Sequence, residues 1–549
     1  MKQKLHFKII NLSLLFLFEI CFSQASLVKD MYVGSGSGNP LYITKIQTTA
    51  VFNGSKSGTV GELWITDGTE SGTQLLKDIN LGSAVSNPQN LTKVNNLVFF
   101  KADNGTVGTE LWVTDGSESG TFLVKDISSG AATSGPNNLI NVNGTLFFTA
   151  NTDLFNKDQL WKSDGTEAGT VLVKNLRPDS TFNANTSSLT PTSDGKLFFI
   201  TNDGVHGSEL WISNGTEEGT YLVKDIKTGT SGAQIGNLTA VGNEVFFSAL
   251  GDSGIVSLWK SDGTDIGTIM VEPNLSFYSL ANYNTTAVYD GNFYFVANNY
   301  YNDSDNTTGK ELWVSDGTMA GTTILKDISA GINSSNPNNF IVYNNLLYFR
   351  ATQSSTGEEL WVTDGTPEGT ERVIDINPGS SSSSPNQFTI IGNELYFVAN
   401  DGVYGQELWK TDGTPEGTVR LTDIKPGSAC CSNVQYITEV NNIILFRADD
   451  GISGYEIWRL DQEALSVEKL SSQPFKVYPN PTSNILNITA AFSDTFDITI
   501  YDQFGQKVLK QKQNSSSVKL ETNNLSKGLY FLNINSENGK SQNIKFIKN

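Results

Sequence analysis

ELWVTDGSESGTFLVKDI, residues 110–127, is one copy of a pattern that the chain repeats along most of its length. A Phe precedes the Trp by 12 residues in seven of the nine copies. All nine tryptophans of the protein occupy this pattern, at spacings of 48 to 54 residues: Trp64, Trp112, Trp161, Trp211, Trp259, Trp313, Trp361, Trp409 and Trp458. A period near 48 residues is typical of a repeat architecture, and this decides the fold class before any local feature does.

Each repeat predicts four short strands. In the second repeat, Leu91–Val94 and Leu97–Ala102 flank the turn signal Asn95-Asn96. Glu110–Thr114 and Thr121–Ile127 flank a turn with two glycines. No segment shows a sustained helical period. The pattern predicts an all-β protein, with a β-propeller of about nine four-stranded blades over residues 26–462.

The two ends of the repeat array predict how it closes. Leu27–Asp30 matches the last strand of a repeat, and Glu456–Trp458 matches the third. The first strand would therefore complete the ninth blade and close the ring, which removes exposed sheet edges. Two alternatives remain open, namely Leu465–Leu470 as the final strand and an open solenoid of β units.

The repeated residues favour structural roles. We interpret the Trp and the Phe as packing between blades, because a binding site rarely needs nine copies of one side chain. We interpret Asp115 and its equivalents as turn formers, and the Lys125-Asp126 pair as a local salt bridge or a turn cap. The sequence predicts no cofactor. Calcium remains an alternative, since acidic turns suit a hard cation, although no spacing matches an EF-hand loop.

The N-terminus predicts export. A basic start is followed by the apolar run Ile9–Phe22 and by small and polar residues, which is the layout of a signal peptide over residues 1–25. The alternative is a membrane anchor, but Asn11 and Glu19 interrupt a run that is already short for a span. After removal of this segment only Cys430 and Cys431 remain, and they form either a vicinal disulfide or two small loop residues.

Composition excludes several function classes. The formal charge is −20, which argues against a nucleic-acid binder. The chain has two histidines, and only His206 lies beyond the signal segment. We find no Ser-His-Asp arrangement, no catalytic Cys context and no Gly-rich phosphate loop, so the sequence predicts a protein that is not an enzyme.

The clearest departure from the repeat is an insertion before Trp313. It carries Tyr300, Tyr301, Asp303 and Asp305. Tyrosine rings can stack on a sugar, and the aspartates can accept hydroxyls or hold a cation. We predict these four residues as a candidate ligand-binding site, with an ordinary solvated loop as the alternative.

The repeats resemble the bacterial ELWxxDGT-repeat proteins. The resemblance covers about residues 27–461, where Trp is followed by Asp-Gly-Thr or by a one-residue variant such as Asn214-Gly215-Thr216. It implies an exported repeat protein and assigns no defined activity.

The C-terminus differs in composition, with nine Lys against five Asp or Glu over residues 475–549. About seven short alternating strands predict a small Ig-like antiparallel sandwich at 477–549, after a linker at 463–476. This segment resembles the type A C-terminal sorting domain of the type IX (Por) secretion system. The resemblance rests on the opening VYPNP motif, on the YD, GQKV and LSKGLY segments and on the final KFIK. The residues that it identifies as the sorting signal are Tyr478, Pro479, Asn480, Pro481, Gly528, Tyr530 and Lys545.

The function expected from the sequence is that of an exported binding scaffold without catalysis. The resemblance implies passage through the outer membrane by the type IX machinery, to the cell surface or the extracellular space. The expected ligand is a polysaccharide or a surface protein, with no nucleic acid and no transmembrane span. The alternative is a secreted carbohydrate-active hydrolase or lyase that uses carboxylates or Tyr300 and Tyr301.

Overall fold

The fold is taken from a computed structural model of the chain. All regular elements of the described residues are β-strands, and the chain divides into two compact units, residues 1–462 and 463–549. No helix in the described part is long and apolar enough to cross a bilayer. The structure describes residues 25–56, 61–82, 84–152, 158–177, 182–273, 275–277, 284–298, 308–426, 431–462, 475–478, 482–490, 495–502, 505–514, 517–536 and 541–548.

The first unit contains nine antiparallel sheets, which we number in chain order. Sheets 1 to 3 are β2 (Leu41–Ile46), β3 (Thr49–Gly54), β4 (Glu62–Thr66) and β5 (Gln74–Lys77); β6 (Gln89–Val94), β7 (Leu97–Asp103), β8 (Thr109–Thr114) and β9 (Phe122–Lys125); and β10 (Asn137–Val142), β11 (Thr145–Ala150), β12 (Gln159–Ser163) and β13 (Val171–Lys174).

Sheets 4 to 6 continue the same order, and sheet 6 has a fifth, two-residue strand. They are β14 (Ser187–Pro191), β15 (Leu197–Asn202), β16 (Ser208–Ser213) and β17 (Tyr221–Lys224); β18 (Gly236–Val241), β19 (Glu244–Leu250), β20 (Val256–Ser261) and β21 (Ile269–Glu272); and β22 (Ser276–Phe277), β23 (Thr286–Tyr289), β24 (Asn292–Asn298), β25 (Glu311–Ser315) and β26 (Thr323–Lys326).

Sheets 7 and 8 have very short fourth strands, and sheet 9 takes its fourth strand from the start of the chain. They are β27 (Asn338–Tyr343), β28 (Leu346–Gln353), β29 (Gly357–Thr363) and β30 (Glu371–Arg372); β31 (Asn386–Ile391), β32 (Glu394–Asn400), β33 (Gln406–Thr411) and β34 (Val419–Arg420); and β35 (Gln435–Val440), β36 (Ile443–Asp449), β37 (Tyr455–Asp461) and β1 (Ser26–Lys29).

The pairing of β1 with β37 confirms the strand count made from the sequence. The two strands are antiparallel, with Leu27 opposite Trp458. Sheets 9 and 1 also contact each other through their first strands, since Thr438 Oγ1 donates to the Ile43 carbonyl at 2.9 Å. The rival closing strand, Leu465–Leu470, lies outside the described residues.

The repeated aromatic residues pack between neighbouring sheets, as predicted. Phe100 lies directly opposite Trp112 across β7 and β8, and both side chains are buried. Trp112 belongs to a core cluster with Ile46 and Leu63 of the preceding sheet. Eight of the nine tryptophans lie in such a cluster, so the core of the first unit is a series of clusters between adjacent sheets rather than one central core.

The Asp-Gly-Thr segment is a turn, which confirms its sequence interpretation. Asp115 Oδ1 accepts the backbone N–H of Ser117 at 2.8 Å and its hydroxyl at 2.7 Å. These hydrogen bonds lower the pKa of the Asp115 carboxyl. Gly116 has φ of 92°, a conformation that favours glycine.

The prediction for the Lys-Asp pair is right for the Asp and wrong for the Lys. Asp126 Oδ2 accepts the backbone N–H of Gly130 at 3.1 Å, which is a turn cap. Among the salt bridges of the described residues, none joins Lys125 to Asp126; Lys125 Nζ donates to the Thr170 carbonyl at 2.9 Å, in the next sheet. Lys77 Nζ likewise donates to the carbonyl of Thr121 at 2.6 Å, in the next sheet, so this residue joins sheet 1 to sheet 2. The sequence could not show this, because the acceptors are backbone atoms 44 residues away.

The second unit is the sandwich that the sequence predicts. Its seven described strands form one sheet of three and one of four, and both contribute to a single apolar cluster that includes Leu486, Ile498 and Leu532. The strands are β38 (Phe475–Tyr478), β39 (Ile485–Ala490), β40 (Phe496–Asp502), β41 (Lys507–Gln513), β42 (Ser517–Glu521), β43 (Gly528–Ser536) and β44 (Ser541–Lys548).

Candidate functional site

The predicted ligand-binding residues Tyr300, Tyr301, Asp303 and Asp305 lie outside the described residues, so this site stays a prediction. The same holds for Cys430 and therefore for the vicinal cysteine pair. Of the sorting-signal residues, Pro479, Asn480 and Pro481 are also outside the described part. Tyr478 ends β38, Gly528 and Tyr530 open β43, and Lys545 lies in β44.

A buried glutamate that sequence analysis missed recurs two residues before the Trp. Glu110 is fully buried and accepts the backbone N–H groups of Ile127 at 3.0 Å and Ser134 at 2.8 Å, as well as the Ser134 hydroxyl at 2.5 Å. Burial raises the pKa of Glu110 to about 7, against the opposing effect of these donors. The carboxyl thus anchors the connection between two sheets. Its signal in the sequence was the E of ELW itself, which six other repeats carry at residues 62, 209, 311, 359, 407 and 456.

Sheets 6 to 8 depart from the other repeats in their contacts with one another. Ile374 of sheet 7 and Thr422 of sheet 8 stand where sheets 1 to 4 and sheet 6 carry the bridging lysine. Tyrosine hydroxyls also join these sheets. Tyr289 of sheet 6 donates to the Asn345 carbonyl at 2.8 Å, in addition to the lysine bridge from Lys326 to the Thr370 carbonyl. Tyr343 of sheet 7 donates to the Asn393 carbonyl at 2.6 Å, where the lysine is absent. A binding site that occurs only once in the protein has to differ from the repeated pattern.

A cavity of about 700 Å³ lies where these sheets meet. Its walls come from the first strands of sheets 7 and 8, from the second and third strands of sheet 7, from the start of the third strand of sheet 8, and from two residues that precede first strands. The lining residues are Asn284, Asn339, Phe340, Ile341, Arg350, Glu358, Ser384, Asn386, Gln387, Phe388 and Gln406.

Arg350 is the one cation of this lining and is held from two sides. Its Nε donates to Asn338 Oδ1 at 2.5 Å and lies 3.3 Å from Glu358 Oε1. Arg350 is only 8% exposed, so its guanidinium is a built part of the wall rather than a surface side chain. The residue follows the repeat Phe directly, at a position where most other repeats carry Asn, Thr, Ser, Ile or Val.

The shape of the first strands brings amide side chains into the cavity. Asn339 and Gln387 have φ of 56° and 57°, and each lies at a register shift where the first strand carries an extra residue. Such a β-bulge re-aims the side chains of the bulged strand. The same bulge recurs in the first strands of eight of the nine sheets. In sheet 7 the bulged residue Asn339 lines the same cavity as Arg350 and Glu358.

The chemistry of the lining is polar and close to neutral. One guanidinium and one carboxylate oppose each other, and the amides of Asn284, Asn339, Asn386, Gln387 and Gln406 supply both donors and acceptors. Rings of Phe340 and Phe388 add apolar surface. A neutral ligand with many hydroxyl or amide groups suits this combination.

Within the described residues, no group of three or more His, Cys, Asp or Glu side chains is placed to hold a metal ion. The acidic turns that motivated the calcium alternative use an Asp oxygen within the turn itself, as Asp115 does. Calcium therefore stays a prediction without a located site.

One family match was found, and it covers the end of the chain. Residues 476–549 match the family described as "Secretion system C-terminal sorting domain". The segment is therefore a sorting domain of the type IX system, as predicted, and the type IX machinery handles the protein during export. The assignment of the repeats to the ELWxxDGT proteins stays a prediction. No curated protein matches the chain.

Several solved structures are similar to the chain at low sequence identity. The chain is 11% identical to PorZ, a surface component of the type IX secretion system of Porphyromonas gingivalis, over 93% of this chain and 75% of that one, with a TM-score of 0.32. Prolyl oligopeptidase B of Galerina marginata is 12% identical over 74% of this chain, with a TM-score of 0.37, and the chain spans only 55% of that enzyme. A DUF3244 protein of Bacteroides vulgatus with an immunoglobulin-like β-sandwich is 20% identical over 14% of this chain and 85% of its own, with a TM-score of 0.13.

Proposed function

We propose that this protein, which its sorting domain directs through the outer membrane to the cell surface or the extracellular space, acts there as a non-enzymatic binding scaffold. The ligand is a polysaccharide or a surface protein. The observation that carries the proposal is the 700 Å³ cavity around Arg350 and Glu358, lined mainly by sheets 7 and 8, in which Ile374 and Thr422 replace the bridging lysine.

The proposed scaffold is a closed nine-bladed β-propeller. Two contacts support closure, namely the pairing of β1 with β37 and the hydrogen bond from Thr438 of sheet 9 to Ile43 of sheet 1. In a closed ring the first strands of all sheets face a common centre, so the cavity opens at the inner end of sheets 7 and 8. A ring without free edges also resists aggregation outside the cell.

A neutral glycan is the ligand class that fits best. Amide groups bind sugar hydroxyls through paired donors and acceptors, and the facing charges of Arg350 and Glu358 leave no net charge for an ionic ligand to neutralise. The whole chain has a formal charge of −20, which also disfavours the binding of anionic polymers.

The alternative of a glycoside hydrolase has less support. Hydrolysis of a glycosidic bond ordinarily uses two carboxyl groups on opposite sides of the bond. Glu358 is the only carboxylate among the residues that line this cavity, and it faces Arg350. A lyase or hydrolase that uses Tyr300 and Tyr301 would need a different site.

The test is affinity electrophoresis of the purified full-length mature protein in gels that contain soluble polysaccharides, with an assay for new reducing ends. We expect retardation on at least one neutral glycan without cleavage, and loss of retardation in Arg350→Ala. Lys101→Ala is the matched control, because Lys101 occupies the same repeat position in sheet 2, away from the cavity. New reducing ends would refute the scaffold. Equal loss in both variants would refute the assignment of the cavity.

A further inference from the structure

The sorting domain contains a groove of its own, at one end of the sandwich. It has a volume of about 450 Å³ and lies between the last residue of β40, the start of β41, the end of β42 and the start of β43. Residues 524–527 of the loop between β42 and β43 line its side. All of its walls therefore belong to the second unit.

The floor of this groove is apolar and partly open to solvent. Leu509, Leu525 and Leu529 are half-buried, and Tyr530 is buried against the core of the sandwich. Val508 is 42% exposed at the mouth. An apolar side chain of a partner could cover these carbons, and water would leave the groove when it binds.

The rim of the groove is mainly acidic. Asp502 and Glu521 line the groove against a single cation, Lys527. This is unusual for the domain, which has nine Lys against five Asp or Glu over residues 475–549. Two carboxylates beside an apolar floor favour a partner that presents a basic group next to an apolar one.

Internal hydrogen bonds hold the groove in shape. The Tyr530 hydroxyl donates to the Ser526 carbonyl at 2.9 Å, and the Leu525 N–H donates to the Thr522 carbonyl at 3.0 Å. Asp502 Oδ1 accepts the backbone N–H of Gln506 at 2.9 Å. A groove that is already formed binds without the entropic cost of ordering its walls.

The walls also coincide with the segments by which the sequence resembles sorting domains. Asp502, Val508 and residues 525–530 come from the YD, GQKV and LSKGLY segments. Core packing accounts for Tyr530, which is buried. It does not account for Val508 and Lys527, which are exposed and contribute little to a core. Their presence in the motif points to a contact with another molecule.

We propose that this groove binds a peptide segment of the type IX secretion machinery that places an apolar side chain between Val508 and Leu529 and a basic side chain beside Asp502 and Glu521. The proposal rests on the assignment of residues 476–549 as a sorting domain. It does not depend on what the repeat unit binds.

The first test is secretion of the full-length chain by the bacterium that produces it. Val508→Lys places a cation inside the groove, where the partner's basic group would lie. We expect the secreted and surface-exposed fraction to fall at least tenfold, with accumulation in the periplasm. Gln511→Lys is the matched control, since Gln511 lies exposed on the same strand and does not line the groove. Secretion of Val508→Lys at the level of Gln511→Lys would overturn the proposal.

The second test separates binding from folding and identifies the occupant. Purified Val508→Lys should unfold at the same temperature as the parent, because Val508 is exposed. A photo-crosslinking amino acid at position 508 of the full chain should join it, in living cells, to a component of the secretion machinery. The same amino acid at position 511 should not. Crosslinks at 508 only to a second copy of this chain, or none at all, would overturn the assignment of the partner.

Discussion

The buried Glu110 gives the sharpest prediction about the repeat unit. Its carboxyl accepts two backbone N–H groups, from Ile127 and Ser134, and the Ser134 hydroxyl. Glu110→Gln keeps one acceptor oxygen and removes the ionisable group. Gln159 shows that the fold accepts this change, because in the third repeat its Oε1 accepts the N–H of Leu176 at 2.9 Å.

The magnitude follows from the pKa of Glu110, which burial raises from 4.5 to about 7. A carboxyl whose pKa is higher in the folded state stabilises the fold below pH 4.5, and that contribution is lost as the pH rises through 7. The loss approaches about 3 kcal/mol, at about 1.4 kcal/mol for each pKa unit. Glutamine has no such dependence, so the destabilisation by Glu110→Gln should be smaller at pH 8 than at pH 5 by about 2 kcal/mol.

The assay is urea unfolding of the purified protein at pH 5 and at pH 8, followed by tryptophan fluorescence. Glu110→Ala serves as the contrast, since it leaves two buried N–H groups unpaired and should cost about 2–6 kcal/mol at pH 5. Alanine does not titrate either, so its cost should also fall by about 2 kcal/mol at pH 8 but stay above that of Glu110→Gln at both pH values. A cost of Glu110→Gln that is equal at the two pH values, or larger at pH 8, would refute the reasoning. It would mean that the hydrogen-bond donors outweigh burial and keep Glu110 ionised.

Three further predictions concern the contacts that hold the sheets. Lys77→Met removes the hydrogen bond to the Thr121 carbonyl and should cost about 1 kcal/mol in urea unfolding, whereas no change would mean that the bond adds nothing in solution. Asp115→Ala should cost about 1 kcal/mol at pH 7 through its turn. Because the pKa of Asp115 is lowered, this cost should shrink as the pH falls below 3.8, and a cost that persists in acid would contradict the prediction. Deletion of Ser26–Lys29 leaves β37 with an open edge, so light scattering should detect concentration-dependent association; a stable monomer of unchanged stability would show that β1 is dispensable.

The regular features of this protein were predictable because each is local or strictly repeated. The strand pattern, the Asp-Gly-Thr turn and the packing role of Trp112 follow from periodicity and turn chemistry within one repeat. The pairing of Leu27 with Trp458 followed from counting strands. The sorting domain was recognisable because its motifs stand close together in sequence.

Contacts between repeats were not predictable in the same way. The acceptor of Lys77 is a backbone carbonyl of the next sheet, and backbone atoms leave no trace in residue identity. Arg350 and Glu358 are eight positions apart and unremarkable as sequence. They become a pair only because β28 and β29 are antiparallel, and they meet the amides of sheet 8 only because two sheets pack side by side.

The sequence by itself therefore determined the all-β repeat unit, the place of its first strand and the route of export, since these depend on periodicity and on contiguous motifs. Only the tertiary structure decided where the cavity proposed for a ligand lies. A cavity needs side chains from several sheets at one point, and a buried carboxyl such as Glu110 acquires its pKa from neighbours that burial brings to it.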